Sequence, residues 1–267
     1  MTVSWSAYRR ARRRSRQAWA ILAVAAVSAL AALCWFFTAG QFAAAEPEMP
    51  GPTEAPVFDP AWMKPVVPVR PVPEGSALTA LDGLAVKGRA GKDTYDRGAF
   101  GQAWQDVDRN GCDTRNDILR RDLAGVLFVE GSKCRVAAGS FQEPYTGQFV
   151  NFQRGSESSR AVQIDHVVAL GDAWQKGAQG LTAAQRQSLA NDPLNLIAAD
   201  GPANQQKSAG DAATWLPKNK SIRCHYVARQ ISVKAAYGLW VTEAEKDAMK
   251  RVLGSCPDQQ TVSAPQA

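Results

Sequence analysis

The sequence is poor in the side chains that most often build metal and acid–base sites. Its 267 residues include only two histidines and five cysteines. No Cys-x-x-Cys pair occurs, and the wide cysteine spacings argue against a zinc site. A glycosidase needs a pair of carboxylates, and nothing in the pattern singles one out. These shortages leave few places where catalysis can be sought.

Acidic residues are absent from the first 45 positions, and this absence accounts for the net charge of +6. Six arginines lie within residues 9–16, whereas from Glu46 onward 25 Lys and Arg face 25 Asp and Glu. The bulk charge of this larger part is therefore zero, and it does not favour nucleic-acid binding. Any attraction to DNA would have to come from a local patch or a bound metal.

A long uncharged run follows the arginines. The 20 residues from Ala18 to Phe37 carry no charge and are enough to cross a bilayer as a helix. The arginines orient the N-terminus towards the cytoplasm. We therefore predict a cytoplasmic basic tail over 1–17 and a transmembrane signal-anchor over 18–42, with the C-terminal part extracellular. The alternative is secretion after cleavage near Ala45, which ends a run of small residues.

Proline marks the next boundary. Nine prolines lie between Glu46 and Glu74, a density typical of an extended, semi-rigid stalk. We predict a proline-rich linker over 46–75, a folded domain over 76–256 and a disordered tail over 257–267.

Four cysteines remain outside the predicted membrane segment, which itself contains Cys34. An even number outside the cytoplasm indicates disulfides. Three pairings are possible, and sequential order gives the one that we predict, Cys112–Cys134 and Cys224–Cys256.

The remaining patterns predict an α+β domain. Asp113 is expected to cap a helix that follows it, and capping boxes are expected at Thr182–Gln185 and Thr242–Glu245. Predicted helices lie near 77–84, 114–123, 222–237 and 243–253, with another after Thr182, and predicted strands lie near 126–130, 134–138, 149–152, 162–168 and 194–198.

The stretch between residues 164 and 207 has the strongest chemical character. Asp165 and His166 end an apolar run, Asn195 follows an Asp-Pro-Leu turn, and Asn204 and Lys207 come next. A carboxylate and an amide oxygen suit Mg²⁺. A neutral histidine can take a proton from water, and a lysine offers a point charge to a phosphate oxygen.

Each of these residues also has a simpler interpretation. His166 alone is more often structural than catalytic, Asn195 is a common turn residue, and Lys207 alone is a solvated charge. Because neighbours on a regular strand point to opposite faces, Asp165 and His166 can converge only at a strand end or distortion. For His225 a packing or surface role is favoured.

Six short motifs occur together in one order. They are Gly111–Arg115, Pro144–Gly147, Asp165–Val168, Asp192–Leu196, Asn204–Lys207 and Trp215–Pro217. Jointly they resemble the HNH (ββα-metal) endonuclease superfamily, and in particular its exported actinobacterial branch, related to the C-terminal nuclease domain of GmrSD-type restriction enzymes. The resemblance covers roughly residues 77–256.

The resemblance implies a ββα-metal catalytic element embedded in a mainly helical domain. It implies that His166 is the general base, that Asn195 holds the loop bearing it, and that Lys207 assists. Asp165 and Asn204 would bind one Mg²⁺ or Mn²⁺.

The implied activity is metal-dependent hydrolysis of DNA phosphodiester bonds outside the cytoplasm. RNA as substrate remains open. The alternative function is a non-catalytic cell-surface binding module on the same fold.

Overall fold

The computed structural model describes residues 69–155 and 158–263. The predicted cytoplasmic tail (1–17), the membrane segment (18–42) and most of the proline-rich linker lie outside the described residues. Across the part that is described, no helix is long and apolar enough to cross a bilayer.

Helices and short strands alternate along the domain. In chain order they are α1 Ala77–Asp82, α2 Thr114–Asp122, β1 Ala124–Phe128, β2 Val136–Gln142, β3 Phe149–Gln153, α3 Ser158–Ala161, β4 Val162–His166, α4 Leu170–Gln175, α5 Ala183–Asn191, β5 Leu196–Asp200, α6 Gly201–Lys207, α7 Arg223–Tyr237 and α8 Glu243–Leu253, with 3₁₀ turns at Arg97–Phe100, Ala178–Gly180 and Lys220–Ile222. The predicted α+β class is confirmed.

The strands form two separate antiparallel sheets. Strands β1, β2 and β3 form one sheet in sequential order, and β4 pairs with β5 in the other. In the second sheet the register runs without a break from Val162 opposite Asp200 to His166 opposite Leu196. Asp200 then caps α6 by accepting the Ala203 N–H at 2.8 Å, so β4, β5 and α6 follow in a strand–strand–helix order.

The β4–β5 sheet is buried on both faces. One face packs with α2 and the three-stranded sheet through Ile118, Ile164 and Leu196. The other face packs with α7 through Ile197 and Val227. Burial on both sides explains why the β5 sequence is a continuous apolar run rather than an alternating one.

Local signals at three helix starts have different outcomes. Asp113 caps α2 as predicted, and Thr182 forms the predicted capping box with Gln185. At α8, Thr242 accepts the Glu245 N–H, but the predicted reciprocal bond from the Glu245 side chain is wrong. That carboxylate is buried against two lysines instead, and a buried ion pair outweighs a bond at a helix terminus.

Both predicted disulfides are present. Cys112–Cys134 joins the segment before α2 to the β1–β2 turn, with Cα atoms 5.3 Å apart. Cys224–Cys256 joins the start of α7 to the end of α8, with Cα atoms 6.4 Å apart. Strands β2 and β5 each begin two residues later than predicted.

Candidate active site

The Asp165–His166 pair lies at the end of β4, where the strand is still regular. His166 is the last residue of the strand and pairs with Leu196. The two side chains therefore project to opposite faces, as their different contacts show. The strand end expected from the sequence is present, whereas a distortion that would bring the pair together is not seen here.

His166 is held on two sides. Its Nε2 atom lies 2.9 Å from the Ala190 carbonyl oxygen, and its ring stacks on Trp104 with centroids 6.3 Å apart and planes at 15°. Burial lowers the pKa of His166 to about 4, although the Asp165 carboxylate opposes the shift. In the neutral ring Nε2 therefore carries the proton donated to Ala190, which leaves the basic lone pair on Nδ1.

His166 borders an open cavity of about 270 Å³. Its walls include Arg97, Phe100, Trp104, Leu170 and Asn191. Arg97 is exposed, and its charge contributes to the low pKa of His166. Sequence reasoning missed Arg97 and Trp104, since both come from the irregular segment between α1 and α2.

Asn195 fixes the chain that follows His166. Its fully buried side chain accepts the Val168 N–H at 2.8 Å and donates to the carbonyls of Val168 and Leu189 at 3.3 and 3.2 Å. Its own carbonyl accepts the Val167 N–H at 2.7 Å. The structure thus places Asn195 against the two residues that follow His166.

Two arginines support the turn before β5. Arg229 is buried and donates to the carbonyls of Pro193, Leu194 and Leu196 at 2.6–2.7 Å. Arg121 reaches two of the same carbonyls, Pro193 at 2.7 Å and Leu196 at 2.6 Å. Together they donate hydrogen bonds to buried main-chain carbonyls of this turn. Neither arginine stood out in the sequence.

The other face of β4 is closed and electrically neutral. The Asp165 carboxylate accepts the Tyr145 hydroxyl at 2.6 Å and the Lys207 ammonium at 2.9 and 3.1 Å. Lys207 also donates to the His166 carbonyl at 2.7 Å and is buried. Lys207 is therefore not a solvated charge, and its ammonium is committed to Asp165 rather than directed into the His166 cavity.

Asn204 of α6 lies beside Gln163 of β4, next to the pair formed by Lys207 and Asp165. Its amide donates to the Gln163 side chain at 2.9 Å, so Gln163 and Asp165 of β4 face Asn204 and Lys207 of α6. Asn204 is the fourth of the seven residues of α6, which follows the Asp200 cap and begins at Gly201.

The donor chemistry of this face fits a hard divalent cation, but its charge is already balanced. Asp165 offers a carboxylate and Asn204 an amide oxygen, both suitable for Mg²⁺. Lys207 neutralises Asp165 and would compete for it. Within residues 69–155 and 158–263, no three His, Cys, Asp or Glu side chains gather into a metal-binding group.

A buried ionic cluster was also missed by the sequence analysis. Lys176 contacts three carboxylates at 2.6–2.7 Å, and all four side chains are almost fully buried. The members of the cluster are Arg89, Asp172, Lys176, Asp211, Lys234 and Glu245. Three bases face three acids, so the cluster is formally neutral. It joins α4, which follows the His166 loop, to α7 and α8.

The structure is a disulfide-bonded α+β domain. It contains a strand–strand–helix unit whose histidine faces a cavity. Residues 113–252 match the family described as GmrSD restriction endonucleases, C-terminal domain. The chain belongs to this family, and the predicted GmrSD relationship is confirmed. Its placement in the HNH superfamily and in an actinobacterial branch stays a prediction.

A relative from Arthroderma benhamiae (strain ATCC MYA-4681 / CBS 112371) is described as an uncharacterized secreted protein. It is 40% identical over 194 residues, which cover 71% of this chain and 90% of the relative. No solved structure matches this chain.

Proposed function

We propose that this protein is an HNH-type endonuclease that hydrolyses DNA phosphodiester bonds outside the cytoplasm. The observation that carries the proposal is the setting of His166, whose ring is held by the Ala190 carbonyl and lines a cavity. Membership of a restriction-endonuclease domain family supports a nuclease-like activity. The Asn195 clamp on the following loop supports it further, since a base must be held in place to act.

In the proposed reaction His166 acts as the general base. The Nδ1 lone pair accepts a proton from water as the water oxygen forms a bond to phosphorus, and the bond from phosphorus to the leaving oxygen breaks. Arg97, exposed on the cavity wall, balances the phosphate charge. We assign this contact to Arg97 rather than Lys207, whose ammonium is held by Asp165.

A divalent cation, Mg²⁺ or Mn²⁺, is part of the proposal. Asp165 and Asn204 would hold it, and a divalent ion there would supply stabilisation of negative charge on a phosphate oxygen. Because these two side chains lie on the face of β4 opposite His166, the ion and the base would reach one phosphate only after the end of β4 shifts. Lys207 holds a positive charge beside Asp165 in the structure, so it keeps this carboxylate in place. A divalent cation would have to compete with the Lys207 ammonium for the Asp165 carboxylate.

The proposed location rests on two observations. Disulfides persist in oxidising compartments, and this domain has two. The Arthroderma benhamiae relative is described as secreted. We propose that the domain acts outside the cell membrane, either anchored by residues 18–42 or released after cleavage near Ala45.

One observation favours the alternative, a non-catalytic module that binds without cleaving. Asp165 is buried and neutralised, and a structural ion pair has the same appearance. The test below separates the two functions.

The test is a cleavage assay on the full-length protein with plasmid DNA, linear DNA and RNA. Each substrate is incubated with Mg²⁺, Mn²⁺ or chelator. We expect plasmid nicking with either metal, none with chelator, and loss of nicking in His166→Ala. His225→Ala removes the other histidine, which is exposed on α7, and is the matched control that keeps activity. Binding of DNA without cleavage under every condition would establish the alternative, and cleavage of RNA alone would overturn the DNA assignment.

A further inference from the structure

Another cavity lies between the start of α7, the helix α8 and the segment that joins α6 to α7. Its volume is about 450 Å³, and three basic side chains line it, those of Lys220, Arg223 and Arg251. No acid is among the described residues that line it. Within residues 69–155 and 158–263 these three side chains also form no salt bridge. Because bases and acids are equal in number from Glu46 onward, this cavity is a local excess of positive charge.

Arg223 is fixed in place, yet most of its hydrogen-bonding capacity is unused. Its Nε atom donates to the Pro217 carbonyl at 2.7 Å. Among the described residues its two terminal nitrogens have no hydrogen-bond partner. The Cys224–Cys256 disulfide ties the next residue of α7 to the end of α8, and each of these helices contributes one arginine to the cavity. A guanidinium held in this way can offer its remaining N–H groups to the oxygens of a phosphate.

The Trp215–Pro217 motif, which the proposed reaction does not use, builds one wall of this cavity. Its proline holds Arg223, and its leucine lines the cavity. Its tryptophan packs edge-on against Tyr145, with ring centroids 5.0 Å apart, and the Tyr145 hydroxyl donates to Asp165. The wall is therefore fixed to the closed face of β4.

The stability of α7 does not explain these cations. Lys220 begins the 3₁₀ turn that leads into α7, and Arg223 is the first residue of this 15-residue helix. The first turn of α7 has no acid, and its start has no side-chain cap. Cations at the N-terminus of a helix oppose its dipole, so a bound anion would offset a charge arrangement that is unfavourable without it.

The rest of the lining is mainly apolar. Small and aliphatic side chains complete the walls, namely Ala212, Ala213, Leu216, Ala248 and Val252. The volume lies in the range of small-molecule sites, roughly 300–1,000 Å³, and is more than a single inorganic anion fills. A ligand that matches both parts of the cavity has an anionic group and an apolar ring.

We propose that this cavity binds one nucleotide unit, with its phosphate on the three basic side chains and its nucleobase against the apolar wall. The choice of a nucleotide rests on the proposed function, whereas the cation-lined cavity does not. The unit belongs either to a free mononucleotide or to a nucleic-acid strand, and the phosphate chemistry is the same for both. A concave site favours this ligand over the broad surface of an anionic lipid bilayer.

The test measures binding of a short fluorescent single-stranded DNA to the full-length protein by anisotropy, in chelator so that metal-dependent cleavage does not take place. In Arg223→Gln and in the double variant Lys220→Gln/Arg251→Gln, the affinity should fall by about tenfold for each cation removed, as expected for hydrogen bonds to a charged group. The slope of log affinity against log salt concentration should also fall by about 0.7 for each cation, because each one releases counterions from a single strand. Arg223→Lys keeps the charge and should keep the slope.

The matched control is Lys133→Gln/Arg135→Gln, which removes two exposed cations from the β1–β2 turn and should leave affinity and slope nearly unchanged. Deoxyadenosine 5′-monophosphate is the competitor that distinguishes the two sources. Displacement of the DNA by this mononucleotide assigns the cavity to a free nucleotide. No displacement, together with the loss in the cavity variants, assigns it to a nucleotide within a strand.

Three results would overturn the nucleotide site. These are wild-type affinity and slope in the double variant, an equal loss in the control pair, or binding to anionic phospholipid vesicles that the cavity variants weaken while DNA does not bind. If Arg223→Gln does not fold, the double variant gives the answer, because Lys220 and Arg251 are exposed. Binding is measured without cleavage, so the nucleotide site can stand while the nuclease fails, and the reverse.

Discussion

The two faces of β4 carry neighbouring residues in different surroundings, although both side chains are buried. On one face His166 makes one hydrogen bond and one stacking contact and borders an open cavity. On the other, Asp165 is buried and bonded to both Tyr145 and Lys207. The open face has a neutral group with a free lone pair, and the closed face has a charge that is already matched.

Access to a cavity and burial in an ion pair differ in what they indicate about the role of a residue. A reactive group must reach a substrate, so the position of His166 in the wall of a cavity is consistent with a chemical role. A buried, neutralised carboxylate is equally expected of a structural ion pair, because removing one partner leaves an uncompensated buried charge. If the two faces differ in function as they differ in environment, substitutions on each should have different effects.

The largest expected effect comes from the open face. His166→Ala should lower the nicking rate by about 10²–10⁴-fold, the usual contribution of a positioned base, while the melting temperature changes little. His166→Gln keeps a side-chain N–H for the Ala190 carbonyl and should lose activity to the same extent. Plasmid-nicking rates and thermal melting check both variants. Wild-type nicking by His166→Gln would remove His166 from the chemistry.

The next largest effect is expected at Asn195, whose hydrogen bonds hold the residues that follow His166. Asn195→Ala leaves the Val168 N–H and two carbonyls without their partner, which should cost about 2 kcal/mol of unfolding free energy. Activity should fall through displacement of His166, with the magnesium dependence of the remaining rate nearly unchanged. Urea unfolding and nicking across a magnesium series measure the two effects. A variant as stable and active as wild type would contradict the clamp.

Local chemistry made part of this site predictable from the sequence. The Asp113 cap, the Thr182–Gln185 capping box and the position of Asn195 depend on residues within a few positions or on a recognisable motif order. Alternation and apolar runs located each of the described strands, with ends displaced by up to four residues. The disulfide pairing followed from the simplest of three choices.

Contacts between distant segments could not be predicted in the same way. Glu245 has the sequence context of a capping residue, yet Lys176 and Lys234 take its carboxylate. Lys207 has the context of a phosphate ligand, yet Asp165 takes its ammonium. In both cases the buried charge pairs with an opposite charge from a distant segment of the chain. The linear sequence does not show which segment that is.

A smaller effect tests the closed face. Lys207→Met removes the ammonium and leaves Asp165 without a counter-charge. A metal cation then no longer has to compete with Lys207 for the Asp165 carboxylate. The half-saturating magnesium concentration should fall by about tenfold, a change of about 1.4 kcal/mol in cation binding, whereas in Asn204→Ala it should rise. The cleavage rate as a function of magnesium concentration measures both. Identical magnesium dependence in the two variants and wild type would show that Asp165 and Asn204 do not hold the cation.

The smallest expected effect is a shift in the acidic limb of the dependence of cleavage rate on pH. Its position distinguishes a buried His166 from a histidine in water. Because the folded pKa is about 4 rather than 6.5, the base stays neutral and the rate should be flat between pH 6 and 8, falling only as pH approaches 4. The unfolded chain binds this proton between pH 6.5 and 4 and the folded chain does not, so stability should drop as pH falls through that window. His166→Gln lacks the titrating group, so its melting temperature should fall less over the same window. Rate profiles of the wild type and melting curves of both proteins provide the measurement. A rate limb near pH 6.5, with parallel melting curves for the two proteins, would place His166 in a solvated setting and contradict the burial that lowers its pKa.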